Sequence, residues 1–506
     1  MTPGWSRPLR SLAIGGAFLV LLAACTSDGE ENGPTSATSG TTGSSAPGPM
    51  RLEVLVDNVE YGGDAGTDAV IDAIDADVVG VLESYNRLPE IAANTGYPYY
   101  DVSLQLLSKY PIHEASGGEG RYALIEVRPG EVVAFFNIHL DYVKYGPKLL
   151  RNGQPVKDVL ASEDEVRTSA LDEPLRLMDG LIAQGYPVIF TGDHNEPSSL
   201  DWTEATVAAR TDVPEAVTWP VSEAILGLGF HDTYRDAHPD PVEDPGITHE
   251  IVDDRIDYVY AAGPIDSLDS QLVGEEGGPG VEIGFQPWTS DHRAVLSTFE
   301  VTPVPMPVMV SVSEALLTQG DPLTVAYRSS GSDGTVAIVR SGSDPGSAVV
   351  TEDAPGGSGS FEVETAGLEP GGYEVVLTSP DGAELARVGL WIRDPEAVIR
   401  VSTDRPTYRV GEPIVVSWTD GPANRWDWIG VYRAAASDPK VDSYLIWNYV
   451  GQHAAGAVPP SVEGSMTLDE TVMGNPWPLP PGRYVVHYLV VDRYRSIGSA
   501  TFEVTP

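Results

Sequence analysis

Between residues 51 and 301 the chain alternates short apolar runs with stretches of helical spacing, and this alternation fixes the class of its first large domain. Strands are predicted over residues 52–56, 78–82, 132–138 and 188–191, and helices over 68–74 and 163–183. Interleaved elements of this kind fold into an α/β or α+β domain whose helices cover a sheet. Some 250 residues suit one layered unit, placed at residues 51–302.

Past Pro303–Pro307 the pattern turns to short β-type runs separated by Gly, Pro and Asp, the mark of sandwiches. The region also repeats itself. Gly320-Asp321-Pro322-Leu323-Thr324-Val325-Ala326-Tyr327 matches Gly411-Glu412-Pro413-Ile414-Val415-Val416-Ser417-Trp418, and Leu368–Tyr373 matches Leu479–Tyr484. Two tandem all-β sandwiches are predicted, at residues 303–395 and 396–506. The second carries an aromatic run, Trp426-Asp427-Trp428, where the first has Thr335-Val336-Ala337. Alternation sets Trp426 and Trp428 on one face, where they read as core filling rather than a sugar or lipid site.

Arg7 and Arg10 precede an apolar run from Leu12 to Ala24, too short to span a bilayer and ending at Cys25. Leu22-Ala23-Ala24-Cys25 resembles the bacterial lipobox. Residues 1–24 therefore read as a lipoprotein signal peptide, Cys25 as the acylated residue, and 25–50 as a Gly/Ser/Thr/Pro-rich tether. The expected location is extracytoplasmic, held to a bacterial membrane by the lipid. Cys25 is the single cysteine, so an intramolecular disulfide and a zinc site of several thiolates are both excluded.

Chemistry concentrates in the α/β domain. Asn58, Glu83, His139, Asp193, Asn195, Asp257, Asp291 and His292 lie at or beside the ends of its apolar runs. One polar residue at a strand end is usually a turn or cap. Six such motifs around one sheet point to a common pocket. Oxygen ligands such as Glu83, Asp291 and the Asn58 amide suit Mg²⁺ or Mn²⁺, with Ca²⁺ as a further candidate. Asp193 is placed to deprotonate a water, with Asn195 beside it. His292 and His139 are placed to donate to a phosphorus centre, and Asp257 to keep His292 charged.

The segments Asn58-Val59-Glu60-Tyr61-Gly62-Gly63, Leu82-Glu83, Leu107–Ile112, Asn137-Ile138-His139-Leu140, Gly192-Asp193-His194-Asn195, Arg255–Tyr258 and Ser290-Asp291-His292 occur in an order that resembles the endonuclease/exonuclease/phosphatase superfamily. The resemblance covers residues 51 to 300. It implies a four-layered α/β sandwich with two packed sheets, followed here by the two small all-β domains. It also implies Asn58, Glu83 and Asp291 on the metal side, Asp193 as general base with Asn195 next to it, an Asp257–His292 pair facing the phosphate, and His139 as a phosphate contact. Two positions depart from the family pattern: Leu82 replaces the usual glutamine, which removes a hydrogen bond behind the metal, and His194 replaces the usual aromatic.

The implied activity is divalent-metal-dependent hydrolysis of a phosphate ester. Fold does not choose the substrate, but charge narrows it. The chain has 74 acidic and 30 basic residues, a net charge of −44. Residues 51–300 alone hold 46 acidic and 15 basic, or −31. That excess disfavours a groove tracking long duplex nucleic acid and favours a small or surface-bound phosphoester. Lys144, Lys148, Arg151, Lys157 and Arg167 form a local basic cluster, readable as an anionic-substrate clamp, with Lys148, Arg151 and Arg167 as its candidate contacts, or as a mixed-charge surface. His194 is readable as a substrate contact or as a packed strand-end residue. His113, His231, His238 and His249 read as ordinary surface histidines. Two other functions stay open at this stage: a secreted nuclease, and a non-catalytic surface binding protein.

Overall fold

The computed structural model describes residues 48–506 apart from 115–119, 425–426, 436–437, 451–460 and 492. The expected signal peptide, the lipidation position Cys25 and Trp426 lie outside the described residues. Among those described, no helix is long and apolar enough to cross a membrane.

Two seven-stranded sheets form the α/β part. The first runs, in spatial order, Ile283–Phe285, Ile265–Glu275, Ala294–Val301, Met50–Asn58, Val78–Leu82, Leu106–Ser108 and Tyr99–Asp101. The second runs Ile112–Glu114, Ala123–Arg128, Glu131–Asn137, Val188–Asp193, Asp257–Ala262 and His231–Asp232, with Val304–Pro305 added beside Glu131–Asn137. Their inner faces share one apolar core in which Leu52, Val54 and Val56 meet Phe135, Ile189 and Val259. The outer face of the first sheet packs Leu55, Val79 and Val81 against helical Val70, Ile71, Leu88 and Ile91. The outer face of the second packs Phe136 and Phe190 against helical Met178, Leu181, Val221 and Ile225. Helix, sheet, sheet, helix is the four-layered α/β sandwich expected.

Local sequence explains the elements. Val, Ile, Leu and Phe occupy both faces of the central strands because both faces are buried. Asp64 caps the helix Ala65–Ile74 by accepting from the Gly66 and Thr67 amides, while Thr67 answers back to the Asp64 amide. The helix predicted over 163–183 is a correction: it divides into Val156–Val166, a 3₁₀ turn Thr168–Leu171, and Asp172–Ala183. Pro174 is the reason the pattern does not run through, since it has no N–H for the carbonyl one turn earlier. Gly80 lets the sheets meet at their polar spot: a Cβ there would stand 2.5 Å from Thr191 Oγ1 and 2.6 Å from Asn137 Oδ1.

Strand direction positions the site. Met50–Asn58 and Val78–Leu82 are parallel, as are Glu131–Asn137 and Val188–Asp193, so their C-terminal ends open on one edge of the double sheet. Asp257–Ala262 and Ala294–Val301 run the other way, and their beginnings reach the same edge; Asp257 lies directly across from Asp193.

The C-terminal region repeats one architecture. Met309–Val312, Pro322–Arg328 and Ser358–Glu364 face a five-stranded sheet, and Arg400–Thr403, Ile414–Thr419 and Gly464–Leu468 face a six-stranded one. Each pair encloses its own apolar core. The matched segments take matched places: Tyr373 donates to the Glu369 carbonyl at 2.7 Å, and Tyr484 donates to the Pro480 carbonyl.

Candidate active site

Asp193 sits at the centre of the edge just described and is 1% exposed. Its Oδ2 accepts from Asn58 Nδ2 at 3.1 Å and stands 3.4 Å from His139 Nε2 and 3.8 Å from His292 Nε2. Its Oδ1 accepts the Asn195 amide at 2.8 Å. Burial alone would raise this carboxyl; the His139 and His292 charges and the Asn195 N–H outweigh it and hold Asp193 well below the ordinary carboxylate range. Asp193 is therefore an ionised base throughout the neutral range. Gly192 makes its strand end fit, since a Cβ there would lie 2.0 Å from the Ile138 carbonyl oxygen.

His292 is gripped from behind. Its Nδ1 lies 2.9 Å from Asp257 Oδ2, its amide donates to Ser290 Oγ at 3.0 Å, and Ser290 Oγ donates to the Asn58 carbonyl at 2.6 Å. Thr248 Oγ1 accepts the Ile256 and Asp257 amides, fixing the start of the Asp257 strand. Burial disfavours a charged imidazole, yet Asp257, Asp193 and Asp291 together push His292 up to about 10. His139 is raised in the same manner: burial opposes its charge, and Asp193 and Glu83 prevail. Its Nε2 also meets Asn195 Nδ2 at 3.0 Å, and that amide group donates to the Leu140 carbonyl.

Oxygen donors gather on the side toward Asn58. Glu83 follows its strand with φ +58° and accepts from Asn58 Nδ2 at 3.4 Å, the Tyr61 amide at 3.1 Å and the Tyr85 hydroxyl at 3.3 Å. Glu60 accepts the Asp291 amide at 3.1 Å. Its carboxyl is raised by burial and by the charges of Asp291 and Glu83. Among the described residues no lysine or arginine forms an ion pair with Glu60, Glu83 or Asp291; His292 is the cation nearest Asp291, at 3.9 Å. Three carboxylates with no lysine or arginine partner among the described residues, and an amide oxygen beside them, fit a hard divalent cation.

The eight residues predicted for catalysis and metal binding all lie at this edge. The basic cluster does not. Arg167 is fully buried, pairs with Glu163 and donates to the Val143 carbonyl. Arg151 pairs with Asp254 and Asp212 at 3.1 Å each and donates to the Val252 carbonyl. Lys148 is exposed on the helix Gly146–Arg151, and among the described residues no hydrogen bond or ion pair joins it to the cluster. Of the two readings of the cluster, the mixed-charge one fits the two arginines, whose guanidinium groups are engaged by the fold. Of the two readings of His194 the packed one fits the structure: it is buried against Phe190, Tyr258 and Tyr260, and burial pushes it down to about 3. It takes the aromatic's place as a neutral ring.

Sequence reasoning missed His249, read as a surface histidine. Its ring stacks on His292 at 4.2 Å, and its Nδ1 lies 3.0 Å from the Asp291 carbonyl oxygen. His249, Asp291 and His292 offer donor atoms within 4.8 Å of one another. Glu60 and Asp57 were missed too. Asp57 is buried behind Asn58 and pushed up to about 7 by burial and by Asp257. A carboxylate inside an apolar strand and another ahead of Gly62-Gly63 were the available signals. Beside His292 a cleft of about 200 Å³ opens, lined in part by Glu250, Ile251, Trp288 and Asp291.

Two facing sheets whose parallel strands deliver Asp, Asn, His and Glu to one edge define a double-sheet hydrolase-type domain with an acid–imidazole centre. Residues 58–292 match the model of the Endonuclease/Exonuclease/phosphatase family. An uncharacterized protein of Caenorhabditis elegans, F14F9.5, is 29% identical over 227 residues, covering 38% of this chain and 70% of that protein. Among solved structures, an endonuclease/exonuclease/phosphatase from Beutenbergia cavernae is 16% identical with a TM-score of 0.33, covering 67% of this chain and 99% of that one. A family protein from Bacteroides thetaiotaomicron is 15% identical with a TM-score of 0.28, covering 50% and 96%.

Proposed function

We propose that the chain is a divalent-metal-dependent phosphoric ester hydrolase that uses an activated water. The observation that carries this reading is the ionised Asp193 carboxylate set between two raised histidines, with Glu60, Glu83 and Asp291 alongside. Asn58, Glu83 and Asp291, joined by Glu60, would hold Mg²⁺ or Mn²⁺. Bound there, the ion would supply Lewis-acid polarisation of a phosphoryl oxygen. Asp193 accepts the proton of the attacking water, a role its low pKa permits at neutral pH. His292, kept protonated by Asp257, donates a hydrogen bond where negative charge builds on phosphorus, and His139 with Asn195 lines the opposite side. The pairing is directional: Asp257 takes up Nδ1, which leaves Nε2 to face Asp193 and the substrate.

The acidic balance of the domain supports a small or surface-bound phosphoester over long duplex DNA. The N-terminal Leu22–Cys25 motif supports attachment to a membrane outside the cytoplasm by a lipid on Cys25. The test is a panel of phosphomonoesters, phosphodiesters, phospholipids, nucleotides and DNA, each with Mg²⁺, Mn²⁺ or Ca²⁺ and with excess chelator. Turnover that survives chelation, or none on any phosphoester, overturns the hydrolase reading; duplex DNA as the best substrate overturns the substrate ranking. For the anchor, Cys25→Ala should move the protein from the membrane to the soluble fraction.

A further inference from the structure

The second C-terminal sandwich has two apolar faces. One encloses its core, with Ile429 and Val431 packed toward Val416 and Trp418. The other presents Trp428, Tyr432, Trp447, Tyr449 and Leu489, which are at most 9% exposed although they point away from that core. Tyr444 and Tyr494 of the sandwich itself cover part of this face, and the α/β domain covers another part, where Tyr85 and Val143 pack against it. Trp428 therefore lies on the outer face that meets the α/β domain and not in the core between the two sheets, which corrects the core reading for this residue.

Tyr85 is also the hydroxyl that donates to Glu83 Oε2. Its ring lies 5.8 Å beneath the Arg493 guanidinium, and the Arg493 carbonyl accepts from Trp428 Nε1 at 3.2 Å. Next to it, Asn86 Nδ2 donates to Asn424 Oδ1 at 3.4 Å. The two sandwich loops making these contacts are tied by Asp427, which accepts from the Asn424 amide, Asn424 Nδ2, the Tyr488 hydroxyl and the Val491 amide. The segment they hold is strained: Glu83, Tyr85 and Asn86 all lie at positive φ, +58°, +41° and +73°. Side chains other than glycine keep such angles only where the surroundings over-determine them.

We propose that the second sandwich is a working part of the active site, holding Glu83 in place through Tyr85 as a positioning residue. This rests on the metal-dependent reading above. It also gives the diverged repeat a cause. The equivalent strand of the first sandwich, Gly334–Arg340, puts only Ala337 and Val339 on its outer face, where they meet Val376. Only the copy beside Glu83 carries the aromatic strand.

The experiment measures Mn²⁺ affinity of the full chain without substrate, by calorimetry and by electron paramagnetic resonance of free Mn²⁺. Tyr85→Phe keeps the ring and removes the hydroxyl; about tenfold weaker Mn²⁺ binding is expected. Trp428→Leu should weaken it similarly, and the double variant should lose no more than the worse single one, because both act through one contact. Val339→Ala, on the first sandwich, should leave the affinity unchanged. Should Trp428→Leu not fold, Arg493→Met at the exposed rim replaces it and is expected to weaken binding in the same direction. Wild-type affinity in Tyr85→Phe together with either sandwich variant overturns the coupling. A wild-type chain that binds no Mn²⁺ overturns the metal reading itself, and the coupling with it.

Discussion

Asp257 Oδ2 and His292 Nδ1 stand 2.9 Å apart, both side chains buried, with the other imidazole nitrogen turned toward Asp193 at 3.8 Å. The carboxylate behind the ring fixes its orientation and its charge, and the carboxylate before it is the base of the proposed reaction. The arrangement separates two roles that one carboxylate cannot fill together. Asp193→Asn keeps the shape and the Asn195 contact but removes the base. Turnover should fall about 10³-fold while Mn²⁺ binding and melting temperature stay close to wild type. Steady-state kinetics beside a thermal melt decides this, and wild-type turnover would remove Asp193 from the chemistry.

The same pair sets a pH dependence whose sign is fixed. A histidine raised from 6.5 to about 10 gives stability that is complete below the ordinary imidazole pKa and lost as pH climbs through about 10. Asp193, held low, stays ionised across that span. Activity should therefore persist through neutral pH and fall on the alkaline side near 10. In Asp257→Asn the alkaline limb should move down toward the ordinary imidazole range. The melting-temperature gap between the two proteins should narrow as pH rises past 10. A limb that does not move in the variant assigns it to another group.

Much of this was legible in the sequence because buried parallel strands leave continuous apolar runs, and what ends each run is visible. Asn58, Glu83, His139 and Asp193 are such ends. Alternating helices over two packed sheets follow from the same pattern, and the repeated Gly–x–Pro and Pro–Gly turns mark the sandwiches. What pattern does not carry is the partner of a charged side chain. Arg151 and Arg167 look like free cations in one dimension, yet Asp254 and Glu163 absorb them. His249 is brought onto His292 by an isolated bridge between loops, which has no periodicity to read. The Trp428 face is the same kind of case: alternation shows which residues share a face, and only docking shows what that face meets.

Glu60 offers a test with two opposite signs. Its carboxyl is raised by burial and by repulsion from Asp291 and Glu83, so its ionised form is disfavoured without a cation. Glu60→Gln removes a charge and keeps the shape. Above the ordinary carboxylate range, where Glu60 titrates toward its charged form, the metal-free variant should melt at or above the wild-type temperature. The increment that Mn²⁺ adds should shrink, since one ligand charge has gone. Equal increments in the two proteins would place Glu60 outside the metal's reach.

The polar spot between the sheets gives the last test, with two glycines of opposite sign. At Gly80 an added Cβ would fall 2.5 Å from Thr191 Oγ1 and 2.6 Å from Asn137 Oδ1, and these two groups already hydrogen bond each other at 2.9 Å. Asn137 also donates to the Leu104 and Gln105 carbonyls, so it cannot yield without breaking bonds on the facing sheet. Gly80→Ala should cost about 1–3 kcal/mol, the usual penalty of overpacking. Because Gly80 shares its strand with Leu82 and the Glu83 turn follows, Mn²⁺ affinity should fall as well. Gly180 lies in the helix Asp172–Ala183 with nothing within 4 Å of an added Cβ. Gly180→Ala should therefore stabilise the chain by about 0.5–1 kcal/mol through helix propensity and leave Mn²⁺ affinity alone. Urea unfolding of both variants reads the signs directly. A Gly80→Ala protein as stable as wild type would mean that the sheets part more easily than the Asn137–Thr191 contact implies.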